Sequence, residues 1–372
     1  MAEALTDDLV EEILLRLAPD DPASLVRAAA VCLRWRRVAS TRSFRRGFAR
    51  RHRKAPMLGF IANLRDGHEG DRYDYVARFV RATRFRPFCP ERRHRRALDA
   101  RHGRVLLTTV PWKPTLEVWD PVTGELRELP SMPQTVTSWN AAVVCAAHGA
   151  CDHLDCRRGP FLVVLLDSGP EMMHLFVYSS ETGAWSEPIF GPPSPTYGVE
   201  MVPTALVGNA LYFLIDATES ILKYDLAARS VSMIFMPTGF NSDFAALTTT
   251  EDGVLGFAKL EKSTVEDGGL LGSSRVKCEL RLLSMHPGPD GYVTWAENGS
   301  IELGSLLNVD ASSIESDYVA FAHGVGIFFV GTDDAWFSID LKSGRVMEED
   351  YGNGDTQSIV PYSSFYTPGS FS

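Results

Sequence analysis

The chain has 372 residues, 45% of them hydrophobic and 23% charged, and a formal net charge of −10. This composition is typical of a globular protein with one large domain or two smaller ones, and it excludes a disordered or fibrous chain. The acidic start MAEALTDD precedes no long apolar run, so we expect neither a signal peptide nor a membrane span. Six cysteines in a chain of this length favour reduced thiols over a disulfide framework, and we expect an intracellular protein of the cytoplasm or nucleus.

Charge is distributed unevenly along the chain. Residues 1–104 contain 24 Lys and Arg against 13 Asp and Glu, whereas residues 105–372 contain 13 against 34. The basic run RRGFARRHRK at 45–54 lacks the interleaved stacking aromatic residues of a single-strand binder, so we do not expect nucleic acid as a partner. It is more typical of a solvated helix end and linker that also contacts the acidic body.

The first 40 residues have the apolar spacing of short helices. Thr6 is placed to cap a helix whose first turn carries Asp7 and Asp8, where negative charge suits the helix dipole. Pro19 ends this helix, and Asp21 caps the next segment. Apolar residues at i, i+4, i+5 and i+8 are expected on one face of the first helix, and the pattern continues in the second segment: Leu9, Ile13, Leu14 and Leu17, then Leu25, Val26, Ala29, Val31, Cys32 and Trp35. A segment of about 40 residues is too short to bury this surface by itself. The surface must therefore contact the body or another protein.

This segment resembles an F-box, the motif that docks substrate receptors onto the adaptor subunit of SCF-type ubiquitin ligases. The likeness lies in LTDDLVEEILLRLAPDDPASLVRAAAVCLRWRRVA, where the spaced leucines, the Val31-Cys32 pair and Trp35 occur in order. It implies a SKP-family adaptor, and through it a cullin, as partners. It also implies a set of residues that form or support the contact with the adaptor: Leu5, Leu9, Ile13, Leu14, Leu17, Pro19, Leu25, Val31, Cys32 and Trp35.

The remainder of the chain repeats a pattern of short strands. Five segments share a glycine-led apolar strand, a second apolar strand that ends in a polar residue, a turn and a third strand. In the turns DPVTG and SSETG, an Asp or Ser accepts local backbone hydrogen bonds, and Gly124 or Gly183 supplies the positive φ. The turn positions are 59, 46, 59 and 56 residues apart, close to the period of about 50 expected for kelch-like blades: Asp120, Ser179, Asp225, Ser284 and Asp340.

This period predicts a mainly β body that folds as a kelch-like β-propeller of about six blades. A blade cannot bury both of its faces alone, and ring closure lets neighbouring blades cover each other. The segments APMLGFIAN (55–63) and SIVPYSSFYTP (358–368) are the candidates for closing strands. Large rings beside the repeat turns are expected to fill the core between blades: Trp119, Trp185, Trp295 and Trp336.

The body is also similar to the propeller-type domain that follows the F-box in large plant families, particularly those of grasses. LDARHGRVLL, VWDPVTGELRELP and VYSSETGAW carry this likeness. We therefore expect a small all-α F-box domain at 1–45, a basic linker at 46–55, a propeller at 56–368 and a tail at 369–372.

One segment of the body, CAAHGACDHLDCRRG at 145–159, concentrates soft metal ligands. It contains Cys145, His148, Cys151, His153 and Cys156, four of which zinc could use. The cysteine spacing C-x5-C-x4-C differs from the paired C-x2-C of a zinc knuckle. The spacing therefore favours a loop with free thiols, and we expect neither a metal nor another cofactor.

The sequence carries no familiar catalytic motif of the G-x-S-x-G, G-x-x-x-x-G-K-[ST], H-E-x-x-H or G-x-G-x-x-G type. Carboxylates on separate propeller loops, as in propeller glycosidases, would leave no local signature, but we expect no catalytic residues. The favoured interpretation is a non-catalytic substrate receptor of an SCF-type ligase, whose helical front docks to the adaptor and whose propeller binds an unknown protein substrate. The alternative is a propeller scaffold or small-ligand binder whose front helices pack on the body.

Overall fold

Short helices form the N-terminal region, as the apolar spacing predicts. The computed structural model describes residues 5–65, 75–109, 114–134, 136–147, 151–194, 198–215, 220–236, 245–250, 252–266, 274–288, 293–322, 325–349 and 355–367. The N-terminal helices, referred to below as the helical unit, are α1 (Asp7–Leu15), α2 (Pro22–Ala29), α3 (Leu33–Ser40) and α4 (Arg42–His52). Thr6 caps α1, its hydroxyl accepting a hydrogen bond from the Leu9 amide at 3.4 Å.

Helix α4 differs from the basic linker expected at 46–55. The Thr41 hydroxyl caps it by accepting a hydrogen bond from the Phe44 amide at 3.0 Å. Phe44 and Phe48, one turn apart, are buried against the other three helices, and Ala49 is buried beside them. Because the helical unit needs these rings to complete its core, the chain stays helical as far as His52.

A six-blade β-propeller follows, as the repeat predicts. Blade 1 combines the first three strands of the body with the last strand of the chain: β1 (Met57–Arg65), β2 (Tyr75–Arg81), β3 (Glu91–Arg93) and β25 (Asp355–Ser363). Blades 2 and 3 follow in chain order: β4 (Arg95–Arg101), β5 (Arg104–Thr109), β6 (Leu116–Trp119) and β7 (Leu126–Glu128); then β8 (Trp139–Cys145), β9 (Phe161–Ser168), β10 (Met172–Ser179), β11 (Ala184–Trp185) and β12 (Ile189–Pro193).

Blades 4 to 6 are built in the same antiparallel order, starting from the strand nearest the axis. Blade 4 contains β13 (Ala205–Val207), β14 (Ala210–Ile215), β15 (Ser220–Asp225) and β16 (Ser230–Phe235). Blades 5 and 6 contain β17 (Ala245–Thr249), β18 (Leu255–Glu266), β19 (Ser274–Pro287) and β20 (Val293–Glu302), then β21 (Ile314–Ala322), β22 (Ile327–Thr332), β23 (Trp336–Asp340) and β24 (Val346–Glu349). A short helix, α5 (Leu303–Leu307), connects these two blades.

The ring is closed by the two predicted segments. β1 pairs with β25 antiparallel, with Phe60 opposite Pro361 and Ile61 opposite Val360. β25 is the innermost strand of blade 1 and contacts the innermost strands β21 and β4 of the blades on either side. The two ends of the body therefore pair in one sheet, and β25 covers the edge of β1 that would otherwise be open.

Hydrophobic clusters fill the contacts between neighbouring blades. Each cluster takes side chains from facing sheets, so that every blade is covered on both faces. Trp119 and Trp336 lie within two of these clusters, as predicted. Trp185 and Trp295 lie at the outer edges, and their indole N–H groups donate to the carbonyls of Pro130 and residue 235 in the preceding blade, each at 3.1 Å.

The predicted turns form in the expected way, with one exception. The Asp120 carboxylate accepts hydrogen bonds from the Val122 and Thr123 amides, and Gly124 has a φ of +78°. Asp225 and Asp340 accept equivalent pairs of amides. Ser284 instead lies within β19, because this strand continues to Pro287 before the chain turns.

Buried polar side chains connect adjacent blades near the axis of the propeller. Asn63 of β1 donates to the Ala97 carbonyl at 2.9 Å and accepts from the Ala97 amide at 2.7 Å, which joins blades 1 and 2. Asp99 of β4 accepts from the Val143 amide of blade 3 at 2.9 Å. Asn140 donates to the carbonyls of residues 200 and 202 ahead of blade 4. These bonds satisfy inner-strand groups that no sheet partner reaches.

Substituting Asn63 with alanine is expected to lower the free energy of unfolding by about 1 to 3 kcal/mol, because the buried Ala97 amide and carbonyl lose their partner. Urea denaturation measures the change. Ser358→Ala is the graded control, since it removes only the bond that the Asn63 amide donates to Ser358 at 2.9 Å. If both variants lost the same free energy of unfolding, the hydrogen bonds between Asn63 and Ala97 would not be the source of the stabilisation.

Candidate functional site

The apolar residues of α1 occupy two faces, not the single face that their spacing suggests. Val10 and Leu14 are buried against Phe44 and the other helices. Leu9 and Ile13 are 52% and 43% exposed. The division arises because consecutive helix positions point about 100° apart, so the residues next to the core-facing pair turn toward solvent.

The residues that the F-box resemblance implies fall into three groups. Leu14 and Leu25 are buried in the core of the helical unit, and Leu17, Pro19 and Trp35 are half-buried. The remaining residues are exposed: Leu5, Leu9, Ile13, Val31 and Cys32. The set therefore contains a supporting core and a separate group of surface residues.

Two further exposed residues extend this surface. Val26 of α2 is exposed, and Leu33, the first residue of α3, is 83% exposed. The sequence-based set omits both, although Leu33 directly follows the Val31-Cys32 pair, which is the signal that would have identified it. We call the exposed residues Leu5, Leu9, Ile13, Val26, Val31, Cys32 and Leu33 the apolar patch.

An ion pair brings the segments of the apolar patch together. The Arg34 Nε atom lies 2.5 Å from the Asp7 carboxylate, which joins the first turn of α3 to the first turn of α1. Leu9 and Leu33, which follow Asp7 and precede Arg34, are thereby held at the same end of the helical unit. This ion pair joins the two helix starts beside which Leu9 and Leu33 lie.

Helix α4 attaches the helical unit to the propeller. The Arg45 guanidinium donates to both carboxylate oxygens of Asp155, at 3.1 and 3.4 Å, and Arg46 pairs with Asp152. The Phe48 ring meets Phe365 edge-on, with centroids 6.1 Å apart. The basic segment therefore contacts acidic residues of the body, as the charge distribution suggests.

The loop between β8 and β9, which carries both aspartates, also brings four metal-ligand side chains together. Among the described residues, Cys145, Cys151, His153 and Cys156 place their ligand atoms within 4.8 Å of one another. These cysteines are free thiols, as the spacing favours, but antiparallel pairing of β8 with β9 folds the segment back on itself and brings them together. His148 lies outside the described residues.

The protonation of this cluster follows from burial. Burial raises the pKa of the Cys156 thiol, and neighbouring thiols at Cys145 and Cys151 raise it further. Burial also raises the pKa of Cys145 and lowers that of His153. These shifts favour the neutral forms of Cys145, Cys156 and His153.

Of the cavities that lie between propeller blades, two have contrasting linings. The larger, about 670 Å³, lies between blades 2 and 3 and has a charged lining that includes Arg104, Arg127, Arg157, Asp120 and Glu181. The second, about 370 Å³, lies between blades 5 and 6 and has an apolar lining that includes Phe257, Leu282, Leu283, Phe321 and Leu341. These cavities offer sites for polar or apolar ligand groups respectively.

Comparisons with known proteins add no family assignment. No protein-family model matches the sequence, and no curated protein matches it. Among solved structures, a nidogen/laminin complex is 13% identical with a TM-score of 0.40, over 81% of this chain and 97% of that chain. A 6-phosphogluconolactonase-like protein of Bacteroides uniformis is 10% identical with a TM-score of 0.40, over 82% and 98%. The tricorn protease is 11% identical with a TM-score of 0.36, over 79% and 30%.

Across the described ranges, every helix is too short or too polar to serve as a membrane span.

Proposed function

We propose that the chain is the substrate-recognition subunit of an SCF-type ubiquitin ligase. In this proposal the helical unit is an F-box that binds a SKP-family adaptor and, through it, a cullin. The propeller is the kelch-like domain of a plant, grass-type F-box protein, and it binds a protein substrate. The chain itself has no catalytic role and acts inside the cell, in the cytoplasm or nucleus.

The observation that carries this proposal is the apolar patch. The helical unit already has a complete core built on Leu14, Leu25, Phe44 and Phe48. Patch residues such as Leu9 and Leu33 are therefore not needed for its own folding, and their exposure to water is unfavourable. Exposed apolar side chains collected on a small helical unit are typical of a surface that a protein partner covers.

The attachment of α4 to the propeller supports the same proposal. A receptor must hold its substrate at a fixed position relative to the adaptor, which requires a firm connection between its two binding units. Arg45 and Asp155 are both largely buried and form a two-point ion pair, which is more restrictive than a single exposed pair. The patch residues all precede α4, on α1 to α3 or in the segments beside them.

The arginines of α4 also explain why we do not propose nucleic acid as a partner. Arg45 and Arg46 pair with acidic residues of the body, and Arg51 lies 3.8 Å from Glu12 of α1. Each of these three arginines lies beside a carboxylate of the chain, which reduces the field that a phosphate backbone would meet.

Replacing both Leu9 and Ile13 with alanine is expected to weaken adaptor binding by at least about 100-fold, because each side chain contributes on the order of 1.5 to 3 kcal/mol when a partner buries it. The thermal midpoint should change little, since both side chains are already exposed in the free chain. Titration calorimetry with a purified SKP adaptor measures the affinity.

Two variants control this experiment. Phe190→Ala removes an apolar side chain of blade 3 that is also well exposed, and should leave adaptor affinity unchanged. Leu14→Ala removes a buried side chain and should instead lower stability, by about 2 to 5 kcal/mol. Unchanged affinity in the Leu9 and Ile13 double variant would refute the docking role of the patch.

The apolar cavity between blades 5 and 6 favours a second candidate function, a propeller that binds a small ligand. Its lining combines apolar side chains such as Phe257 and Phe321 with polar ones such as Thr248 and Asn298. A chain that fails to bind any SKP adaptor but retains a small apolar molecule during purification would support this alternative.

A further inference from the structure

The four ligand atoms of the β8–β9 loop have the spacing of a tetrahedral metal site. Zinc–sulfur bonds of about 2.3 Å and zinc–nitrogen bonds of about 2.0 to 2.1 Å place neighbouring ligand atoms about 3.5 to 3.8 Å apart. The Cys156 Sγ and His153 Nδ1 atoms are 3.7 Å apart. All four ligand atoms lie within 4.8 Å of one another, so small side-chain movements would complete the tetrahedron.

The fold explains how an irregular sequence spacing yields this arrangement. Cys145 is the last residue of β8 and pairs with Phe161, the first residue of β9. The loop must therefore return to its starting point, which brings Cys156 back beside Cys145. His153, at a φ of +52°, turns the chain between Cys151 and Cys156.

Contacts around the cluster hold the loop in this conformation. Arg104, itself buried, donates to the carbonyls of Cys156 and Gly159 at 3.0 and 2.5 Å. The His153 amide donates to the Cys151 sulfur at 3.3 Å, and the His153 ring stacks on His102 with centroids 4.4 Å apart. Hydrogen bonds to a ligand sulfur and packing of a ligand imidazole are the outer contacts that orient metal ligands in proteins.

We propose that Cys145, Cys151, His153 and Cys156 bind one zinc ion in a structural site. Three cysteines and one histidine form a closed ligand set with no open position for a substrate. Binding releases one proton from each of the three thiols and leaves the imidazole neutral, so the centre carries a net charge of −1. The guanidinium of Arg104, held beside Cys156, is placed to balance this charge.

The site also connects to the helical unit. Asp152 and Asp155, which pair with Arg46 and Arg45 of α4, lie between the ligands Cys151 and Cys156. Zinc would therefore fix the loop that attaches the helical unit to the propeller. This inference does not depend on the ligase function, because it rests on the loop and α4 alone.

Metal analysis of the full-length chain purified without chelators is expected to give one zinc per chain. X-ray absorption at the zinc edge should show three sulfur ligands and one nitrogen ligand at the distances given above. Replacement of zinc by Co²⁺ should give the intense visible bands of a tetrahedral thiolate complex. These measurements use the unaltered chain and do not depend on the folding of any variant.

Variants and a chelator extend the test. Cys151→Ser and His153→Ala should each lose the bound zinc, whereas Cys89→Ser, a half-buried cysteine away from the loop, should retain it. Removing zinc by a strong chelator should accelerate amide hydrogen exchange in α4 while leaving blade 5 unchanged.

Three results would overturn the inference. The first is a chain that contains no zinc, or only a sub-stoichiometric amount that dialysis removes. The second is zinc that survives both ligand variants. The third is a disulfide between cluster cysteines in chain prepared under reducing conditions. Unchanged exchange in α4 after zinc removal would refute the proposed link to the helical unit.

Discussion

Removing residues 358–372 is expected to unfold or aggregate the whole propeller. This deletion takes away most of β25, the innermost strand of blade 1, and leaves β1 with an open edge. Ile359, Val360 and Tyr362 are buried in the clusters on either side of blade 1. Their loss removes about 1.5 to 3 kcal/mol of burial for each side chain, before any loss of strand pairing. The total is comparable with the whole stability of a typical domain, about 5 to 15 kcal/mol.

Differential scanning calorimetry and light scattering measure the result. Deleting only residues 369–372 is the matched control and should leave the thermal midpoint unchanged. A second variant, Val360→Asp, places a charge at a buried position of β25 without shortening the chain, and should also lower the midpoint strongly. If the long deletion melted like the intact protein, β25 would not be required for closure.

Substituting Trp119 with alanine is expected to lower the free energy of unfolding by about 3 to 5 kcal/mol. The side chain is fully buried between blades 1 and 2, where it contacts a cluster that includes Val105 and Tyr362. The Arg92 guanidinium lies over its ring, 5.1 Å from the centroid, and this contact is lost as well. Because the cavity opens between two blades, the loss should affect the closed ring as a whole.

Chemical denaturation followed by circular dichroism tests this expectation. Trp185→Ala is the matched control, because Trp185 is only partly buried at the edge of the next cluster and should lose less stability. If both variants lost the same free energy of unfolding, the depth of the ring between the blades would not determine the loss of stability.

The turns and helix starts were predictable because their causes are local. Asp120 and Gly124 form their turn through hydrogen bonds and a backbone angle within five residues of sequence. Thr6 caps α1 through the amide three residues later. The repeat of such turns also predicted the number of blades and, since each blade needs a covered face, the closure of the ring by both ends of the body.

The ligand cluster could not be predicted in this way. Cys145 and Cys156 meet because β8 and β9 pair, and the intervening loop is positioned by Arg104, a residue of the preceding blade. The cysteine spacing of a zinc knuckle reflects local sequence only, and takes no account of strand pairing or of contacts with another blade.

The sequence by itself determined a helical front, a six-blade body, the core positions of Trp119 and Trp336 and the segments that close the ring, because hydrophobic periodicity and turn chemistry act over a few residues. Only the tertiary structure decided which apolar residues of the helical unit are buried. Leu14 and Leu9 have the same hydrophobicity, and their places differ because Phe44 and Phe48 of α4 pack on one face of α1 and leave the other in water. The same packing made the expected linker helical, since an amphipathic segment becomes a stable helix when a neighbouring core accepts its apolar face.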